Sequence, residues 1–291
     1  MSIQRILVGT DESDEAAAAA AWAAEVARRH GAEVEFLEAV RGSAEQSSER
    51  TEMLRVATRS RVMGWLDGMQ FSREPVVLVE HGEAVNALVM RAALTGADLV
   101  VIGSTAKEGF TDRAFGSVIH QLAHRLPCPV VAVPLGGLPL TDSWIVVGVD
   151  GSDSSRFALR WAEELAAPLA AKVCAVYAFN EIYETFTHVG PLGHDESGAQ
   201  HEVLDARLYA DIDFVERSAA HAADAIGEVA AERGASLVVV AARERGGVGG
   251  LLLGATPDRL IHEPPCPVAV LPHGYIQSHT TNAGLSQGDR A

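Results

Sequence analysis

Cysteine is scarce in this chain: Cys128, Cys174 and Cys266 are the only three in 291 residues, and they lie far apart. An odd, scattered set argues against a disulfide framework or a CxxC metal site and suits a reducing compartment. Basic residues are also short, with 23 Lys and Arg against 39 Asp and Glu and a formal charge of -16. Nucleic acid and anionic membranes are recognised by clustered basic surface, which this sequence lacks, so neither is expected as a partner. There is no long apolar run. The longest, Ala16 to Ala24, is mostly alanine, lies between Glu15 and Glu25, and is far too short to span a bilayer. The opening MSIQRILVGTDES lacks the basic start and sustained apolar core of a secretory leader and goes directly into strand-like sequence. The expected location is cytoplasmic. No GxSxG elbow or other nucleophile-base signature is present, which leaves a hydrolytic triad unsupported.

What the chain does contain is itself, twice. ILVGTDESDE from Ile6 matches IVVGVDGSDS from Ile145, and Trp22 falls on Trp161 at the same offset. AEVEFLEAV from Ala32 meets AKVCAVYAF from Ala171, ADLVVIGS from Ala97 meets ASLVVVAA from Ala235, and PCPVVAVP from Pro127 meets PCPVAVLP from Pro265. The offset changes by one residue over the whole unit, which chance similarity between two α/β segments would not maintain. A unit of this length is a domain and not a solenoid repeat. The boundaries read as 1–138 for the first domain and 139–273 for the second, with 274–291 as a polar tail expected to be disordered.

Within each unit, short Val/Ile/Leu runs without polar alternation are separated by longer helical patterns. That is how strands buried on both faces of a parallel sheet read. Strands are expected at Ile6–Thr10, Val34–Val40, Val76–Glu80, Leu99–Gly103 and Val130–Val133. Helices fall between them at Asp14–His30, Thr51–Asp67, Glu83–Thr95 and Gly116–Leu126, with Gly31 and Gly96 as stops. The second unit repeats the strands near Ile145–Val149, Val173–Phe179, Ile212–Glu216, Leu237–Ala241 and Val268–Leu271. It departs at HVGPLGHDESGAQ, where Gly and Pro break the helical pattern and a long loop over about 186–200 is expected. The fold class is therefore α/β: two tandem domains, each a five-stranded, mainly parallel sheet flanked by helices. The apolar last strands VVAVP and VAVLP would leave open edges, so they are expected to meet in an intramolecular pseudo-dimer. A further homodimer is left open.

Ligands of open parallel sheets bind beyond the carboxyl ends of the strands, where helix N-termini present free N–H groups. Asp11 and Asp150 stand at the end of each first strand, and a glycine-bearing loop follows each fourth strand. The first loop, VIGSTAKEGFTDRAFGS, runs Gly103, two residues, Ala106, nine residues, then Gly116-Ser117. It has neither a Gly-Lys-Ser/Thr ending nor a GxGxxG pattern. Its glycines and helix-start amides can serve phosphate. On spacing alone, a strand-to-helix loop that needs glycine for its turns is the better reading.

The order of elements, the Asp after strand one, the loop spacing and the final PCPVVAVP resemble the universal stress protein family in its tandem form. The resemblance implies a three-layer α/β/α, adenine nucleotide α-hydrolase-like fold and a role in stress survival and signalling. It implies no enzyme, or at most a very slow ATPase, and ATP with Mg2+ at this loop. It places Asp11 and Asp150 near ribose or metal and the backbone near Ala39 and Ala178 beside adenine. In the first unit Gly103, Gly116 and Ser117 fit the family pattern, with Ala106 in place of a glycine. In the second only Gly254 fits: Ala241, Glu244 and Ala255 replace Gly, Gly and Ser/Thr, and Thr256 offers a hydroxyl next along. An alanine forced into a left-handed conformation costs about 1–2 kcal/mol, roughly tenfold in affinity. A carboxylate at about 5 Å from a phosphate charge costs roughly 3 kcal/mol at an effective dielectric near 20, unless Mg2+, Arg243 or Arg245 compensates. Nucleotide is therefore expected to prefer the first unit. The competing reading is an interaction module that has lost nucleotide binding and works through its surfaces. His188, His194 and His201 match no metal-ligand spacing and read as a polar loop, while His124 and His262, equivalent in the last helices, read as capping or packing residues.

Overall fold

The computed structural model describes residues 3–40, 48–104, 114–136, 140, 142–179, 212–242 and 253–285. The first unit runs β1 (Arg5–Thr10), α1 (Asp14–His30), β2 (Glu33–Val40), α2 (Ser48–Trp65), β3 (Val76–His81), α3 (Ala84–Thr95), β4 (Leu99–Ser104), α4 (Ala114–Arg125) and β5 (Val130–Pro134). The second runs β6 (Trp144–Val149), α5 (Asp153–Leu169), β7 (Lys172–Phe179), β8 (Asp213–Ser218), α6 (Ala222–Arg233), β9 (Ala235–Ala241), α7 (Ala255–His262), β10 (Val268–Leu271) and α8 (His273–Leu285). The expected loop at about 186–200, with His188, His194 and His201, lies outside the described residues.

The strands form one ten-stranded sheet in the order β3-β2-β1-β4-β5-β10-β9-β6-β7-β8. All neighbours are parallel except β5 and β10, which run antiparallel with Val131 opposite Ala269. The two halves of that order mirror each other, so the seam joins equivalent strands as expected. Burial explains the strand composition: β5 and β10 are buried at every position, whereas the outer β3 and β8 carry polar, partly exposed residues. Charged, half-exposed edges discourage further strand addition.

Helix ends follow local chemistry. Ser13 and Ser152 cap α1 and α5, each Oγ accepting a first-turn amide, from Ala16 at 3.1 Å and from Ser155 at 3.2 Å. Gly31 and Gly96 end α1 and α3 in the left-handed conformation, as their positions predict. The repeat position of Gly31 is Ala170, which adopts φ 53° without the glycine.

The tail expectation is corrected. Residues from His273 to Leu285 form α8, and Tyr275 and Ile276 are buried. The Tyr275 ring packs edge-on to Phe157 of α5 at 5.7 Å. Two adjacent apolar residues in an otherwise polar stretch suffice to dock the helix, and a low average apolar content concealed them. A boundary at 273 would cut this helix from the unit it packs on.

Candidate functional site

The parallel strands of each unit bring the predicted residues to one end. In the second unit β6 ends at Val149, and Asp150 starts the turn into α5. Asp150 Oδ1 accepts from the Ser152 amide at 3.0 Å and from Ser152 Oγ at 2.5 Å. The first unit repeats this, with Asp11 Oδ1 accepting from the Ser13 amide at 3.1 Å and its Oγ at 2.6 Å. Each aspartate thus fixes the turn that starts the following helix, a local role that its sequence position alone did not reveal.

A cavity of about 160 Å³ lies in the second unit, and Asp150, Ala178, Gly254 and Thr256 all line it. Ile226 of α6 also lines it and packs close against Gly148 of β6. Gly148 permits that approach, since a Cβ there would stand 2.6 Å from Ile226 Cδ1. Gly254 caps α7 at φ 93° and ψ 148°, a conformation essentially reserved for glycine. The next amides, Ala255 and Thr256, begin the helix and belong to the set that finds no helical acceptor. The residues therefore fit an anionic ligand group at α7 and a small planar group against Ala178. The volume is below the roughly 300–1,000 Å³ usual for enclosed ligand pockets, so a whole nucleotide would extend beyond the cavity.

In the first unit Asp11, Ala39 and Gly103 occupy the equivalent strand ends. Gly103 has a packing reason of its own: a Cβ would lie 2.5 Å from Glu15 C and 2.8 Å from Ala16 N. The glycine lets α1 sit against β4. Gly116 and Ser117 lie in the first turn of α4, which begins at Ala114 and not at Gly116. Ala106, Arg243, Glu244 and Arg245 are outside the described residues.

A charged cluster at the first-unit strand ends belongs to no sequence motif. Arg61 of α2 donates from Nε to Glu12 Oε1 at 2.6 Å and from Nη2 to Glu38 Oε1 at 2.6 Å. Burial pushes the Glu38 carboxyl above its ordinary range, and the Arg61 charge opposes that shift. The repeat holds Gly151 and Tyr177 at the positions of Glu12 and Glu38, so comparing the two halves was the available signal.

A family model described as the universal stress protein family matches residues 2–134 and again 144–272. The chain belongs to the universal stress protein family. A universal stress protein of Mycobacterium tuberculosis strain H37Rv is 31% identical over 186 residues, 60% of this chain and 61% of that protein. The match thus spans about three-fifths of that relative's length. A universal stress protein of Mycolicibacterium smegmatis is 25% identical over 286 residues, covering 91% of this chain and 96% of its own. Among solved structures, a universal stress protein from Archaeoglobus fulgidus superposes with a TM-score of 0.69 at 17% identity, over 94% of this chain and 100% of that one. That likeness supports the tandem α/β fold. Among the described residues, no helix of this universal stress protein is long and apolar enough to cross a membrane.

Proposed function

We propose that this universal stress protein binds an adenine nucleotide, ATP with Mg2+, at the carboxyl end of its sheet, and that it acts as a binding protein with at most very slow hydrolysis. The observation that carries the reading is the second-unit cavity, where Asp150, Ala178, Gly254 and Thr256 meet at the start of α7. Adenine against Ala178, ribose toward Asp150 and phosphate at the Ala255 and Thr256 amides suit the chemistry of each position. The first-unit preference expected from loop spelling rests on a loop whose residues 105–113 lie outside the described residues, and the second unit is taken because the described residues show a cavity there. Gly103 packs against the backbone of α1, and the cavity lies beside Gly254.

The test uses calorimetric titration of the full chain with Mg-ATP. Ala39 and Ala178 are repeat equivalents, so Ala178→Leu fills the second cleft and Ala39→Leu the first without placing a side chain at a positive φ. Saturable binding lost in Ala178→Leu and retained in Ala39→Leu is the expected result. The reverse pattern assigns the site to the first unit. No heat at millimolar Mg-ATP for wild type supports the second reading, an interaction module without nucleotide. The observation favouring that reading is again Gly103, whose missing side chain needs no phosphate to explain it.

A further inference from the structure

The antiparallel pairing of β5 with β10 sets two repeat-equivalent helices, α4 and α7, across the seam from each other. His120 on α4 and Asp258 on α7 occupy the same place in the two repeats, and the pseudo-two-fold brings them into contact. His120 Nε2 lies 2.7 Å from Asp258 Oδ1. His262, one helical turn beyond Asp258, puts its Nε2 3.4 Å from the same oxygen. The two imidazole rings are 5.9 Å apart between centroids. All three candidate donor atoms lie within 4.8 Å of one another.

We propose that His120, Asp258 and His262 form a site for a divalent first-row transition ion of the Zn2+ type, which ties the first unit to the second. Two imidazole nitrogens and one carboxylate oxygen are a donor set such ions favour. Tetrahedral Zn2+ with ligands at about 2.0–2.1 Å holds its donor atoms roughly 3.4 Å apart. Two of the three separations here are already 2.7 Å and 3.4 Å, so modest side-chain rotation completes the arrangement. Helix geometry supplies the preorganisation, because Asp258 and His262 at i and i+4 share one face of α7. The cluster is partly exposed, with side-chain accessibilities of 25% for His120, 47% for Asp258 and 57% for His262, which leaves an ion a solvent-facing fourth position and a path of entry. The neighbouring cation, Arg259, is held by Asp224 on α6 at 2.9 Å and so does not stand as an uncompensated charge against the ion.

The site bridges two units that, among the described residues, also meet through the β5–β10 pair and between α1 and α5, where His30 Nε2 lies 3.2 Å from the Leu165 carbonyl oxygen. Binding to the folded, joined form stabilises that form by mass action. The inference does not depend on nucleotide binding, since none of its three ligands lines the second-unit cavity.

The experiment is competition between chelator-stripped full-length protein and a colorimetric chelator for Zn2+, with Co2+ absorption as a coordination probe and thermal melting as a second readout. Wild type is expected to bind one Zn2+ per chain, to give the intense visible bands of four-coordinate Co2+, and to melt higher with Zn2+ present. Asp258→Asn, nearly isosteric, and His262→Ala, at the most exposed ligand, should each weaken Zn2+ at least roughly tenfold and remove the melting shift, with unchanged far-UV circular dichroism. The proposal is overturned if wild type binds no Zn2+ at micromolar concentration and neutral pH. It is equally overturned if both variants bind as wild type does, or if only the combined replacement of His188, His194 and His201 by Ala abolishes binding.

Discussion

Gly103 shows how one residue can satisfy two arguments. Its place in the loop spelling suggested a phosphate cradle, yet the backbone of Glu15 and Ala16 leaves no space for a Cβ. Gly103→Ala should therefore destabilise the chain whether or not nucleotide is present, by about 1–3 kcal/mol in urea unfolding, as overpacking does. Spacing could not separate these roles, because close backbone approach and phosphate binding both select glycine. Cysteine behaviour was easier to read. All three thiols are buried, and burial pushes Cys128 and Cys266 up to about 12 and Cys174 up to about 11 from an ordinary 9.0. They should resist thiol reagents in the folded protein and react on unfolding. Between about pH 9 and 12 the folded state keeps protons that the unfolded state loses. Stability is then fully present below pH 9 and falls as pH rises through that window, which urea titrations over the alkaline range would measure.

Among elements, the strands were the most legible, since Val/Ile/Leu runs such as Val130–Val133 are buried on both faces and carry no competing pattern. Helix starts were less so. The expected start of α4 at Gly116 treated the glycine as a boundary, whereas the helix extends back to Ala114. The tail misled for a different reason: Tyr275 packs on Phe157 of α5 and Ile276 is buried beside it in the chain, which averages over composition do not register. The two repeats end their first helices differently. Gly31 ends α1 at φ 71°, while Ala170 ends α5 at φ 53°, with Pro168 just before it. A left-handed alanine costs about 1–2 kcal/mol, partly offset by the greater unfolded-state freedom of glycine. Ala170→Gly is accordingly expected to stabilise the chain by about 0.5–1 kcal/mol, read from the denaturation midpoint, and a loss of stability would show that the helix end relaxes some other way.

At the scale of the molecule, duplication is what the sequence displayed most openly, and the seam between VVAVP and VAVLP follows from it. Two parallel half-sheets, each with one fully apolar edge, hide those edges by pairing them, and the outer edges are left to the polar strands β3 and β8. The expected site residues of the second unit, Asp150, Ala178, Gly254 and Thr256, line one cavity at the strand ends, and loop spelling did not reveal that cavity. The cavity depends on how Ile226 of α6 approaches Gly148 and how α7 starts at Gly254, both long-range packing outcomes. Nor could a linear reading bring His120 beside Asp258 and His262, because only the antiparallel seam does so. The central claim, a nucleotide at the carboxyl end of the second half-sheet, is tested most directly by amide hydrogen exchange of the full chain with and without millimolar Mg-ATP. The account predicts slowed exchange at the Asp150 turn, the end of β7 near Ala178 and the start of α7 at Ala255 and Thr256. Unchanged exchange at all three, or slowing confined to the Asp11 turn and the start of α4, would contradict it.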